Sequence, residues 1–212
     1  MPHHFLYVAD PMCSWCYGFA PVIEQLARHF DGRLPVTIMM GGLRAGNTRA
    51  MRDEDKAYIR KAWTNVGAAT GQSFDMAFFE REGFVYDTEP ACRAVVTARH
   101  LAPDKALAFK GRISQAFYGH NRDTTDTEVL AAIAVEAGFD DMAFRAAFLS
   151  PDVRNDTFRD FLAAKQMGVE GFPCLCIGEE GGQYALVTNG YRPIDGMIEG
   201  VERWLAGQPA IN

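Results

Sequence analysis

A helical stretch of about 100 residues, lodged between two strand-bearing halves, restricts this chain to few architectures. The first half opens with Phe5-Leu6-Tyr7-Val8-Ala9, a short apolar and aromatic run read as a buried strand, which Asp10-Pro11 ends. A helix follows at once. Val22, Leu26 and Phe30 share one face with Ile23 and Ala27, and Gly32 closes it. Leu34 to Met40 reads as a second buried strand, ended by Gly41-Gly42. The second half opens at Ser150-Pro151, a capping serine with proline at the first helical position. Phe158, Phe161 and Leu162 are expected on the buried face of that helix, and Gly168 at its end. Gly171-Phe172-Pro173 leads into a strand over Cys174 to Ile177, Gly181-Gly182 turns, and Tyr184 to Thr188 returns. Ile194, Ile198, Val201 and Leu205 mark a closing helix.

Between the halves the pattern is helical throughout, with no strand-like alternation. Thr48 to Val66 carries Ile59, Trp63 and Val66 at helical spacing. Thr88 caps a stretch with Pro90 in its first turn. Asp104 to Tyr118 follows Pro103, Asp126 starts Thr127 to Ala137, and Asp140 starts a last helix through Phe148. Without this block the order is strand, helix, strand, then helix, strand, strand, helix. The first three form a βαβ unit, expected to be parallel and right-handed; the last strand pair is a hairpin. A block this long is no loop, so it is read as an insertion with its own core, Phe78, Phe79, Phe117 and Tyr118 among it. The predicted class is α/β, with residues 1–46 and 150–212 forming one discontinuous domain and 47–149 the insertion.

Charge narrows the function. The 212 residues hold 21 basic and 27 acidic side chains, a net of −6, which lacks the electrostatic footprint of a nucleic-acid binder. No apolar run reaches the roughly 18 residues of a membrane span, so neither nucleic acid nor membrane is an expected partner. The apolar stretch before Asp10 is shorter than the roughly 7–15 residues of a signal-peptide core, so a cytoplasmic setting is expected, a mature periplasmic form with an added start Met being the alternative. In the cytoplasm, five cysteines in a chain too large to need staples point to catalysis or metal.

Cys13-Ser14-Trp15-Cys16 sits where the first strand hands over to the first helix. A thiolate at a helix N-terminus meets unpaired N–H groups and the favourable end of the dipole, so the Cys13 pKa is expected to be lowered. The thiolate is the species that attacks disulfides, and Cys16, one turn on, can attack the resulting mixed disulfide. The predicted division of labour is an exposed nucleophile, Cys13, and a shielded resolving thiol, Cys16. Two other readings stay open: a pair with no special role, and half of a metal site completed by Cys174 and Cys176.

Pro21, five residues after Cys16 inside the helical pattern, and Pro173, just before a strand, add to the motif. Together these positions resemble the thioredoxin superfamily, and the insertion makes the chain similar to its DsbA-like branch. Asp10-Pro11-Met12-Cys13-Ser14-Trp15-Cys16-Tyr17-Gly18 resembles a cytoplasmic bacterial group within it, described as dithiol–disulfide isomerases. The resemblance implies a thioredoxin-like fold and thiol–disulfide exchange through a mixed disulfide. It implies that Pro173 is cis and faces Cys13, leaving the Phe172 backbone free to pair with an extended substrate. Trp15 is expected to contact substrate. The implied partners are a disulfide- or thiol-containing protein, peptide or small molecule, and a recycling reductant or oxidant. No cofactor or metal is expected, glutathione being a candidate co-substrate. Kappa-class glutathione transferases and hydroxychromene carboxylate isomerases share this fold and give the alternative of a glutathione-dependent transferase or isomerase.

There are departures. Strongly oxidising DsbA proteins carry a histidine between the cysteines, whereas Ser14-Trp15 supplies no cation, so a less oxidising couple is expected. The family's buried acid on the first strand is replaced by Tyr7, which leaves Asp10 as a weak candidate for proton transfer to Cys16. Cys174 is expected near the active site because it follows Pro173, with exchange against Cys13 as one option and plain core packing as the other. Cys176 and Cys92 are read as core. His120, in a loop between inserted helices, is an accessory candidate for lining the cleft.

Overall fold

The computed structural model describes residues 3–207. Met1 and Pro2, at the head of the expected first domain, and 208–212, at its end, lie outside the described residues. Four strands form one sheet: β1 (His4–Ala9), β2 (Val36–Met40), β3 (Cys174–Gly178) and β4 (Tyr184–Asn189), in the order β2-β1-β3-β4. β1 and β2 are parallel, with Tyr7 opposite Ile38. β3 runs antiparallel to β1, with Val8 opposite Cys174, and β4 completes the antiparallel hairpin.

The first helix is two. α1 (Ser14–Gly18) and α2 (Ala20–His29) meet at Phe19, and Pro21 falls in the first turn of α2. The cause is the missing N–H of Pro21, which cannot serve the carbonyl four residues back. That carbonyl, of Tyr17, accepts instead from the Gln72 side chain at 3.2 Å.

The intervening block contributes α3 (Asp53–Thr70), α4 (Glu89–Leu101), α5 (Ala106–His120), α6 (Thr127–Glu136) and α7 (Asp141–Leu149). Asp126 and Asp140 cap α6 and α7 as the sequence predicts, accepting from Glu128 N and Ala143 N. α3 begins at Asp53 rather than near Thr48, because Ala50 forms an antiparallel bridge with Val85 that holds its segment extended. α8 (Pro151–Gln166) and α9 (Met197–Leu205) complete the chain. A continuous apolar core runs from the inner faces of β1 and β3 through α2 into α4, α5 and α6. The other face of β1 and β3 carries a small cluster of Leu6, Val8, Cys174 and Cys176 under Ala164 of α8.

The buried face of α8 differs from expectation. Phe158 and Leu162 are exposed, at 52% and 56%; Val153, Thr157, Asp160 and Ala164 face inward. Phe161 does pack, over Gly42, where a Cβ would come within 2.7 Å of its ring. Asp160 points inward to close the free edge of β2. Its carboxylate accepts from Met40 N at 2.9 Å and from both Arg99 terminal nitrogens at 2.8 and 3.0 Å, while Arg99 donates to Ile38 O at 2.7 Å. One ion pair thereby fills the ladder positions that an edge strand leaves open. Asp160→Ala leaves a half-buried guanidinium and a buried N–H unpaired and is expected to cost about 2–3 kcal/mol in urea unfolding. A loss below about 0.5 kcal/mol, the range of an ordinary surface change, would remove this pair from the account of the edge.

Candidate active site

Cys13 is the N-cap of α1, and Cys16 lies one turn inside it. Three segments converge there. The β1–α1 connection carries Asp10 to Met12, the β2–α3 connection carries Gly41 to Arg44, and the β3 connection carries Phe172-Pro173, whose peptide bond is cis. The Cys13 sulfur lies 3.7 Å from the Phe172 carbonyl oxygen. A Cβ on Gly41 would stand 2.1 Å from the Phe172 ring, so glycine there lets that ring close over the β2 end.

Asp10 ties two of these segments together. It is fully buried and accepts from Met12 N at 2.8 Å, Leu43 N at 2.7 Å and the Cys92 thiol at 3.4 Å. Burial pushes its carboxyl above the ordinary value, against these donors and the Thr88 hydroxyl. Cys92 is thus more than core filler, since its thiol serves Asp10. The helical block holds the same loop from the other side. Tyr86 donates to Met12 O at 2.7 Å, Ser114 to Pro11 O at 2.8 Å, and Lys110 Nζ to Cys16 O at 2.9 Å.

Both sulfurs are covered: Cys13 is 5% exposed and Cys16 0%, so Cys13 is not the exposed nucleophile of the sequence expectation. The easier ionisation also lies elsewhere. Burial opposes a Cys16 thiolate, but the hydrogen bond from Cys13 and the charge of Lys110 outweigh it and hold Cys16 below the ordinary thiol value. Cys13 is held well above it, first by giving its hydrogen to Cys16 and then by burial. Two anions side by side are unfavourable, so the pair loses one proton readily and the second with difficulty.

A cleft of ≈ 250 Å³ opens beside Cys13, lined by Ser14, Trp15, Arg44, Tyr58, Trp63 and Phe172 among others. Trp63 is its aromatic floor, ringed by Phe74, Phe78, Phe79, Phe117 and Tyr118 at centroid distances of 4.8–5.9 Å. Trp15 is half-buried and packs on Tyr191 at 5.7 Å. Arg44 lies over the Tyr86 ring at 5.2 Å, and among the described residues no carboxylate pairs with it.

A family model described as the DSBA-like thioredoxin domain matches residues 6–200. The chain belongs to the DsbA-like thioredoxin family. Its fold is the thioredoxin-like DsbA fold, and the family is one of thiol–disulfide oxidoreductases. A candidate protein disulfide isomerase from Nitrosomonas europaea is 37% identical, with a TM-score of 0.92 over 99% of this chain and 100% of that one. The cytosolic disulfide reductase DsbM from Pseudomonas aeruginosa, solved with GSH, is 25% identical, with a TM-score of 0.76 over 96% of this chain and 99% of that one. The ClpXP adapter protein SpxH from Halalkalibacterium halodurans is 21% identical over 94% of this chain and 67% of the relative.

Two accessory candidates lie away from the cleft of this DsbA-like chain. The Cys174 side chain points with Cys176 into the small cluster on the opposite face of the sheet, because alternate strand residues share a face and Leu175 and Ile177 hold the active-site side. The two sulfurs are 4.0 Å apart. His120 is the exposed last residue of α5 rather than part of a loop and does not line the cleft. Its neighbour Asn121 instead accepts from Arg81 at 2.9 Å, and Asp123 pairs with Arg81. Among the described residues no three of His, Cys, Asp and Glu come together as a metal site, so the four-thiol alternative has no geometry behind it. No helix among them is long and apolar enough to cross a membrane.

The sequence reading missed Lys110. It falls on the buried stripe of α5 with Ile113, Ser114 and Phe117. A lysine at such a position is a charge in need of a partner, which is the signal that could have found it.

Proposed function

We propose that this enzyme exchanges disulfides through Cys13 and Cys16, with a small thiol of the glutathione type as substrate or recycling partner. The carrying observation is the Cys13 sulfur at the N-cap of α1, 3.7 Å from the Phe172 carbonyl, on a residue that lines the cleft. Cys13 passes its proton to the Cys16 thiolate as its own sulfur attacks the substrate disulfide. A Cys13–substrate bond forms, the substrate S–S bond breaks, and the leaving thiolate takes a proton from water. The Cys16 sulfur then attacks the Cys13 sulfur, the Cys13–substrate bond breaks, and the proton that Cys16 held passes to the departing sulfur, so the second half leaves as a thiol and the Cys13–Cys16 disulfide closes. The Phe172-Pro173 backbone holds the substrate chain beside Cys13, and Trp15 borders it.

The guanidinium of Arg44, with which no carboxylate pairs among the described residues, suits a substrate bearing a carboxylate, and the GSH complex of DsbM supports the same class. The cytosolic relative likewise supports a cytoplasmic setting, where reduced glutathione is the abundant reductant. Cys16→Ser removes the resolving thiol. Treated with glutathione disulfide, that variant is expected to accumulate an adduct of one glutathione on Cys13, mapped by peptide mass analysis and absent from Cys13→Ser. Failure to find Cys13 modified would contradict the assignment of roles.

A further inference from the structure

The mechanism asks Cys16 to be an anion twice, once as the base for Cys13 and once as the nucleophile that resolves the mixed disulfide. Yet it is fully buried, and a buried thiolate needs a partner of opposite charge or strong donors. The inward residue of β1 at this point is Tyr7, which carries no positive charge; its hydroxyl is buried beside the Cys16 sulfur and has no hydrogen-bond partner of ordinary geometry. The helical block supplies the charge. Lys110 of α5 is 2% exposed, donates through Nζ to Cys16 O at 2.9 Å, and lies 5.9 Å from the Tyr7 ring centroid.

We propose that Lys110 is a positioning residue for disulfide exchange, its buried ammonium holding negative charge on Cys16 with the Tyr7 hydroxyl as the second donor. Resting on the exchange reading above, this gives the insertion a chemical task in the reaction besides closing the cleft. The groups that face Lys110 are Tyr7 of β1, Asp10 after it, Cys13 and Cys16 at α1, and Glu24 of α2. The anions among them favour its charged form, against the burial that disfavours it.

Two substitutions separate charge from scaffold. Lys110→Gln keeps a donor for the Cys16 carbonyl and loses the charge; Lys110→Met loses both. The ammonium stabilises the reduced, thiolate form. Both variants are therefore expected to shift the equilibrium with glutathione at least tenfold toward the disulfide, about 30 mV, at pH 7. Both are also expected to move the Cys16 ionisation, followed by ¹³Cβ-cysteine NMR, upward by about one pH unit or more. Tyr7→Phe is expected to move it the same way by less. If Gln behaves as wild type and only Met differs, Lys110 is a scaffold donor and the proposal is overturned. If neither variant folds, Cys13→Ala, which removes the neighbouring thiol's hydrogen bond and leaves Lys110 in place, decides: a Cys16 midpoint still below about 8.5 supports the proposal, and one at or above it overturns it. Failure of wild type to form the Cys13–Cys16 disulfide at any poise is a different result, which removes the exchange reading itself.

Discussion

Cys13→Ser is expected to reduce disulfide exchange to the uncatalysed background, with the fold intact. A serine hydroxyl cannot form the mixed disulfide, and Cys16, at 0% exposure, lies where substrate does not reach. The pH dependence of the wild-type rate carries the sign of the coupled pair. Attack requires the single negative charge that the two thiols share. The first ionisation lies below the ordinary thiol value because the Cys13 hydrogen bond and Lys110 overcome the burial of Cys16. The rate is therefore expected to rise through that lowered value and level off before about pH 8.5, where an unperturbed thiol would still be titrating. A stopped-flow profile of wild type against a model disulfide checks this. A rise centred at or above about pH 8.5 would mean that neither sulfur is activated.

Trp63→Ala is expected to be the most destabilising single change outside the sheet. The side chain is 1% exposed and sits inside a ring of five aromatic neighbours. These cannot collapse into the space without breaking their own edge-to-face contacts, so the cavity persists and the cost is about 3–5 kcal/mol. Because Trp63 also floors the cleft beside Cys13, weaker substrate binding should accompany the loss. Equilibrium urea unfolding with an unchanged m-value measures it; a loss under about 1 kcal/mol would show that the ring repacks.

Local signals made much of this molecule readable. The strands carry short apolar runs ended by Asp10-Pro11 and Gly41-Gly42, and Asp126, Asp140 and Ser150 are caps that act within three residues. The CxxC and Pro173 stand out because their chemistry is tied to spacing, and the cis bond at Phe172-Pro173 agrees with the resemblance. Contacts made between distant segments were not readable. The Arg99–Asp160 pair joins residues 61 apart and explains why Asp160, rather than Phe158, faces inward on α8. Lys110 reaches Cys16 across 94 residues. The helix break at Phe19 sits between these cases: Pro21 announces it, but its relief by Gln72 depends on where α3 ends. Cys174 shows the limit of adjacency, since one step along a strand from Pro173 reverses the face.

The most direct test is a glutathione redox titration with thiol trapping, on wild type and on Cys13→Ser. The account predicts one two-electron couple in wild type, peptide mapping assigning it to Cys13–Cys16, and no such couple in the variant. A potential near about −270 mV would mark a reductase, and one well above about −200 mV a disulfide donor. If Cys13 and Cys16 form no disulfide at any poise, exchange through this pair is wrong.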